Sequence, residues 1–499
     1  MVEPQNDGLE MARPPSDRFE FVDDTQEGRD RVRAHITNYR RQKKTQRARD
    51  LRQSSGFRHG RQLGGTPKQL PSILDVVLHD GNTDPFNSLP ATLTYTVAEL
   101  LSFETNATYA CLQRMEYNLT KSRSSFAAAW YAGTRAHVHD PLVAHSYLSR
   151  AAATLYMTTG DRKYLQTATD FRRKATQQLQ SYVLGPIDLV RFYRALTVLL
   201  FAEDALGDRT SMATHMTILS NLFKANERKL VHDPSFDLYE LSAVTYQDTQ
   251  LAVLLMCPTV FDFSPNGWLS QQFQHVWNQS EKIFNQLRTV ADAALDHALE
   301  GALRHAVSEA RAVLEAIIEL QQGRLSTDEL SYLDVFARVV FLVGRAISHV
   351  ANSASSIDAC TYLCLIYWLR YCTRVENIVL TGTTRIFKAN PAILARLRSS
   401  LQAIEIDAPA DDKFHQLLWI TFTGAHAEHE TESYESRWFS ERLVSMLDKA
   451  QIQAWSELAL ILERFCFPLH FMTKDPAMLF ADIQLYSDSN ITRTQPPLG

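Results

Sequence analysis

Glycine is scarce, at 18 of 499 residues, about half the usual ~7%. That is too little for a fold built on many tight turns and phosphate-cradling loops, so helices become the default. Long apolar runs are missing too. The nearest approach, Val339 to Val350, is interrupted by Gly344 and Arg345, short of the ~18 apolar residues a membrane span needs. The first fifteen residues are polar and proline-bearing, without the apolar core of a secretory signal. No membrane partner and no secretion are expected, and the Asn-x-Ser/Thr triplets at Asn106, Asn118, Asn278 and Asn490 read as chance matches. Gly-x-Ser-x-Gly, a P-loop, a dinucleotide-binding glycine pattern, His-Glu-x-x-His and a calcium loop are all absent. Their absence lowers the expectation of catalysis.

Cysteine is sparse and scattered: Cys111, Cys257, Cys360, Cys364, Cys372 and Cys466. This suits reduced thiols better than a disulfide frame. Spacings of four and eight would place Cys360, Cys364 and Cys372 near one stripe of a helix, where three thiolates could hold a metal. Their neighbours are strongly apolar, and buried cysteine commonly acts as a small hydrophobe, so core packing is expected there and no cofactor.

What the chain does contain is a concentration of positive charge. Residues 29–61 hold twelve basic side chains against two acidic ones, a net +10. The whole chain carries −5, so the remainder carries −15. Val32, Ile36 and Tyr39 give this stretch one narrow apolar line, spaced as a helix requires. From Arg40 to Gln53 only Ala48 and Leu51 are apolar, so a helix there would be solvated on all sides. Arg33, Arg40, Arg41, Lys43, Lys44, Arg47 and Arg49 are the candidate site residues. Clustered Arg and Lys neutralise phosphates or fill an acidic import-receptor groove. A basic zipper would need heptads next, and Gly56, Gly60, Gly64 and Gly65 occupy their place.

The expected organisation is a disordered N-terminus (1–18), a basic helical arm (19–53), a Gly/Pro-containing linker (54–89), an all-helical domain (90–485) and a flexible tail (486–499). Beyond Pro90 amphipathic segments alternate with breakers such as Gly185-Pro186, Asp233-Pro234, Cys257 to Gly267 and Ala408-Pro409. Leu303, Val307, Ala310, Leu314, Ile317 and Ile318 trace one helical stripe, with Gly323 as its C-cap. Ser326 with Glu329 predicts a capping box for the next helix, and Asn390-Pro391 a further N-terminus. Period-two alternation is hard to find, so the fold class is all-α.

Two histidine clusters are candidate ligand sets. His426 and His429, three apart with Glu428 and Glu430 beside them, offer the most metal-like one, but no third element supplies a ligand and a polar helix end is the expected outcome. His137 and His139, with Asp140, read as a surface feature. Asp23, Asp24 and Glu27 are the nearest match to the paired carboxylates of an α-helical diphosphate enzyme. They precede the basic segment, where acidic groups favour a helix N-terminus in any case.

The order of short motifs resembles the fungal-specific transcription factor domain proteins of the zinc-cluster-associated class. The resemblance rests on Phe19-Glu-Phe-Val-Asp-Asp-Thr, on the run from Arg33 to Lys44, and on Asp84-Pro-Phe-Asn-Ser-Leu-Pro. Later landmarks are Glu203, Gly207 and His215-Met216; Leu418-Trp419 with Gly424-Ala425; Arg437-Trp438-Phe439; and Trp455-Ser456-Glu457-Leu458. It implies a nuclear regulator with a multi-helix, middle-homology-type domain in which such motifs serve packing. No Cys-x2-Cys-x6-Cys array precedes that domain, and Ala225-Asn226-Glu227 stands where a Gly-Gly pair commonly follows the His-Met segment. The expected partners are DNA through the arm, a nuclear import receptor, other proteins and a second copy of the chain as a homodimer. The alternatives are a scaffold or co-regulator that binds no DNA and, after it, an α-helical enzyme.

Overall fold

The computed structural model describes residue 91 and most of the chain from 94 to 482. It leaves out much of 110–135 and several short stretches, the longest of them 374–389 and 405–412. The N-terminus, the basic arm with its seven candidate residues, the linker and the tail therefore lie outside the described residues. Those that are described belong to one unit, residues 71–499. Among them every regular element is helical, and no helix is long and apolar enough to cross a membrane.

The described helices follow in chain order. They are α1 (Tyr95–Phe103), α2 (Ala144–Thr159), α3 (Arg162–Val183), α4 (Leu189–Leu206), α5 (Arg209–Val231), α6 (Leu238–Leu255) and α7 (Trp268–Ala293). Then come α8 (Gly301–Gln321), α9 (Tyr332–Asn352), α10 (Ile357–Thr373), α11 (Asn390–Gln402), α12 (Phe414–Glu430), α13 (Trp438–Ala450) and α14 (Trp455–Leu462). Glu104–Thr108 extends α1 as a π-turn. Helices close in sequence pack on one another, α2 on α3 and α4, α7 on α8, α9 on α10. The α10 helix is the hub, touching α8, α9, α11 and α12. It is buried almost all round, as expected of a helix apolar on every side.

Local chemistry explains the boundaries. Asp161, Asp188 and Ser331 each accept a backbone N–H in the first turn of α3, α4 and α9, satisfying donors that a helix start leaves open. Gly160, Gly207 and Gly323 end α2, α4 and α8 with φ of 68°, 73° and 70°, the left-handed conformation that costs glycine nothing. The stripe Leu303–Ile318 is buried as its spacing requires. Ser326 and Glu329 do exchange capping bonds, but these close a turn, and α9 begins only after Ser331, which caps it. Asn226 has non-helical angles (φ −130°, ψ 16°) and kinks α5, its side-chain amide donating to the Leu222 carbonyl at 3.1 Å.

Candidate functional site

Several sequence landmarks turn out to be joints between helices. Glu203, buried on α4, meets His215 Nδ1 of α5 at 2.9 Å. Burial raises its carboxyl pKa more than the imidazole lowers it. Gly424 of α12 faces the ring of Phe439 at the start of α13, so closely that a Cβ would stand 2.2 Å from Phe439 Cδ1. One turn further along α12, Glu428 accepts the backbone N–H groups of Phe439 (3.1 Å) and Ser440 (3.2 Å), capping α13 from outside. Trp419 donates its indole N–H to the Cys466 carbonyl at 3.2 Å, and Trp455 packs among Phe422, Phe467 and Phe480.

The histidine pair of α12 is split by the helix. His426 is buried, its Nδ1 2.7 Å from the Tyr367 hydroxyl and its ring enclosed by Tyr367, Trp368 and Tyr371, while His429 is exposed. Among the described residues no group of three His, Cys, Asp or Glu side chains is placed to hold a metal. Cys360, Cys364 and Cys372 are buried in α10, and burial pushes the Cys360 thiol up to about 11. Asp140 is engaged by two guanidinium nitrogens of Arg191, at 2.7 and 2.8 Å.

Among the described residues, a cavity lies where α8, α9 and α10 meet. Each helix contributes one stripe: Ala302, His305, Ala306 and Glu309 from α8, Leu342, Arg345, Ala346 and His349 from α9, and Tyr362, Leu365 and Leu369 from α10. Spacings of three and four put each set on one helical face. Alanines at 302, 306, 310 and 346 leave the space unfilled, and a cavity of about 170 Å³ results. Arg345 donates to Glu309 at 2.7 Å, each about three-quarters buried. The Arg345 Nε is buried with no acceptor. At the rim His349 lies flat on Tyr362, ring centroids 4.8 Å apart and planes within 3°. The Tyr362 hydroxyl pKa is raised, first by burial and then by Asp358.

No family model, no curated protein and no solved structure matches the chain. What the cavity can do follows from its own residues.

The loop from Cys257 to Gly267 shapes one edge of it, since Pro265 stands in the lining. Asp248 of α6 pins that loop by accepting the N–H groups of Val260 (3.0 Å) and Phe261 (2.8 Å). Phe263 lies over Gly344 of α9, where a Cβ would come within 2.5 Å of the ring. Thr259 and Ser348 share a hydrogen bond of 3.0 Å. Sequence reasoning takes Arg345 only as the break in an apolar run. The signal that locates the cavity is the pairing of Glu309 and Arg345 with alanine-lined stripes on consecutive helices.

Proposed function

We propose that the chain is a nuclear regulator of transcription in which the helical domain meets effectors or protein partners and the basic arm meets polyanions or the import machinery. One observation carries it: a net +10 packed into residues 29–61 of a chain that is otherwise −15. Such an asymmetry gives a strong, salt-sensitive attraction to phosphate that is nearly blind to base sequence. The resemblance to fungal-specific transcription factor domain proteins supports the same reading, as does the all-α architecture. No catalysis is assigned to it.

The test is simultaneous replacement of Arg40, Arg41, Lys43, Lys44, Arg47 and Arg49 by alanine. Nuclear accumulation is expected to be lost. Duplex DNA binding is expected to weaken, and the slope of log K against log salt to fall by up to about 5 for six phosphate contacts removed. Unchanged localisation together with unchanged DNA binding overturns the role of the arm. Wild-type protein that fails to bind duplex DNA even at low salt, yet still needs the arm to enter the nucleus, is instead a co-regulator acting through proteins.

A further inference from the structure

We infer that the cavity between α8, α9 and α10 is a binding site for a small aromatic carboxylate, with its acid group on Arg345 and its ring among the leucines. The inference stands apart from the arm and from DNA binding, and its test reads neither.

Size comes first. A protein cavity of about 150 Å³ lined by aliphatic and aromatic side chains accepts benzene, so about 170 Å³ suits one ring with a short polar extension. The inner wall formed by Leu342, Leu365 and Leu369 is apolar and carries no group that a ring would leave unpaired. Buried polar atoms on that wall would argue for water; leucine argues for hydrocarbon.

The polar end follows from Arg345. A guanidinium presents five N–H donors in a rigid fork, Arg345 stands in the cavity lining, and Glu309 takes one contact, at 2.7 Å. Carboxylates match the fork, and charge-assisted bonds of this kind are about twice as strong as neutral ones. His305 and His349, both exposed at the rim, add donors where the acid group enters. Glu309 opposes an anion, which sets the affinity low and makes its removal informative.

Sodium benzoate is the probe, titrated calorimetrically into the full-length protein, with benzamide as the neutral isostere. Binding is expected at about 1 mM or tighter, with benzamide weaker by about tenfold. Arg345→Met is expected to lose about tenfold or more, Glu309→Gln to gain several-fold, and Ala306→Leu to abolish binding by filling the cavity. Circular dichroism melts of each variant separate lost binding from lost folding. Should Arg345→Met fail to fold, the opposite signs expected for Glu309→Gln and Ala306→Leu still decide. No heat and no thermal shift with wild type at about 10 mM benzoate, where mass action on a ~1 mM site gives a measurable stabilisation, overturns the proposal. So do undiminished binding by a folded Arg345→Met and equal binding of benzamide.

Discussion

Replacing Gly424 by alanine tests a tight packing contact between α12 and α13. In the interior of a helix such as α12, Gly→Ala ordinarily stabilises by about 1 kcal/mol, because glycine loses more backbone freedom on folding. Here the new Cβ would stand 2.2 Å from Phe439 Cδ1 and 2.6 Å from Cε1, where carbon atoms prefer about 3.5–4.0 Å. The ring must withdraw by roughly 1 Å or more. Phe439 is fully buried, and its backbone N–H is tied to Glu428 of the same α12 that carries Gly424. Overpacking of this kind costs about 1–3 kcal/mol, more than the propensity gain returns. Urea denaturation of Gly424→Ala should therefore show a net loss of up to about 2 kcal/mol. In a Phe439→Leu background the clash is relieved, so the same substitution should become neutral or stabilising, a coupling above about 1 kcal/mol. A Gly424→Ala protein as stable as wild type, or a loss that persists undiminished in the Phe439→Leu background, would refute the packing argument.

Two further outcomes follow from burial. Asp248 and Glu428 are held at pKa values of about 7, chiefly by desolvation, which outweighs the backbone N–H groups each accepts. Because these folded-state values exceed the ordinary 3.8 and 4.5, the stability they lend is full below about pH 4 and is lost as pH rises through about 7; Asp248→Asn should flatten the decline of the urea midpoint between about pH 4 and 7, and an unaltered slope counts against it. Among the described cysteines Cys257 alone is partly exposed, so brief iodoacetamide treatment of native protein followed by peptide mass mapping should modify Cys257 ahead of Cys360, Cys364, Cys372 and Cys466, which should react only once urea is added.

The helical class was legible because its signals are local. Leu303 to Ile318 needs only three-and-four spacing, and Gly323 only a left-handed angle, so both can be read in a window of a few residues. The Ser326–Glu329 pair shows the limit of such windows. Its hydrogen bonds form, yet the start of the helix belongs to Ser331, which accepts from Asp334 N–H at 3.2 Å. His426 and His429 show it again: their spacing allows a shared ligand, but the aromatic rings of α10 claim His426 alone. The cavity was illegible for the same reason. Ala306, Arg345 and Leu365 are nothing in their own windows, and only the meeting of three helices makes them a lining.

The joints also explain what a resemblance of this kind can carry. Glu203 with His215, Gly424 with Phe439, and Trp419 with the Cys466 carbonyl each connect elements that adjoin in space, and each needs one residue type: a carboxylate, a missing Cβ, an indole N–H. Short motifs kept in order along a chain are what such joints would leave behind, since each fixes one helix pair while the surfaces between them vary freely. Motifs of that origin speak for an architecture and are silent about ligands. Arg345 is a residue that no joint requires. Its bond to Glu309 links α8 and α9, but those packed helices already bury Val313, Ile317, Val339 and Val343. A charged pair beside a space left by alanines adds little to a joint that is already apolar, and an ion pair so placed is a costly way to hold helices together. The carboxylate inferred for the cavity would supply its rationale.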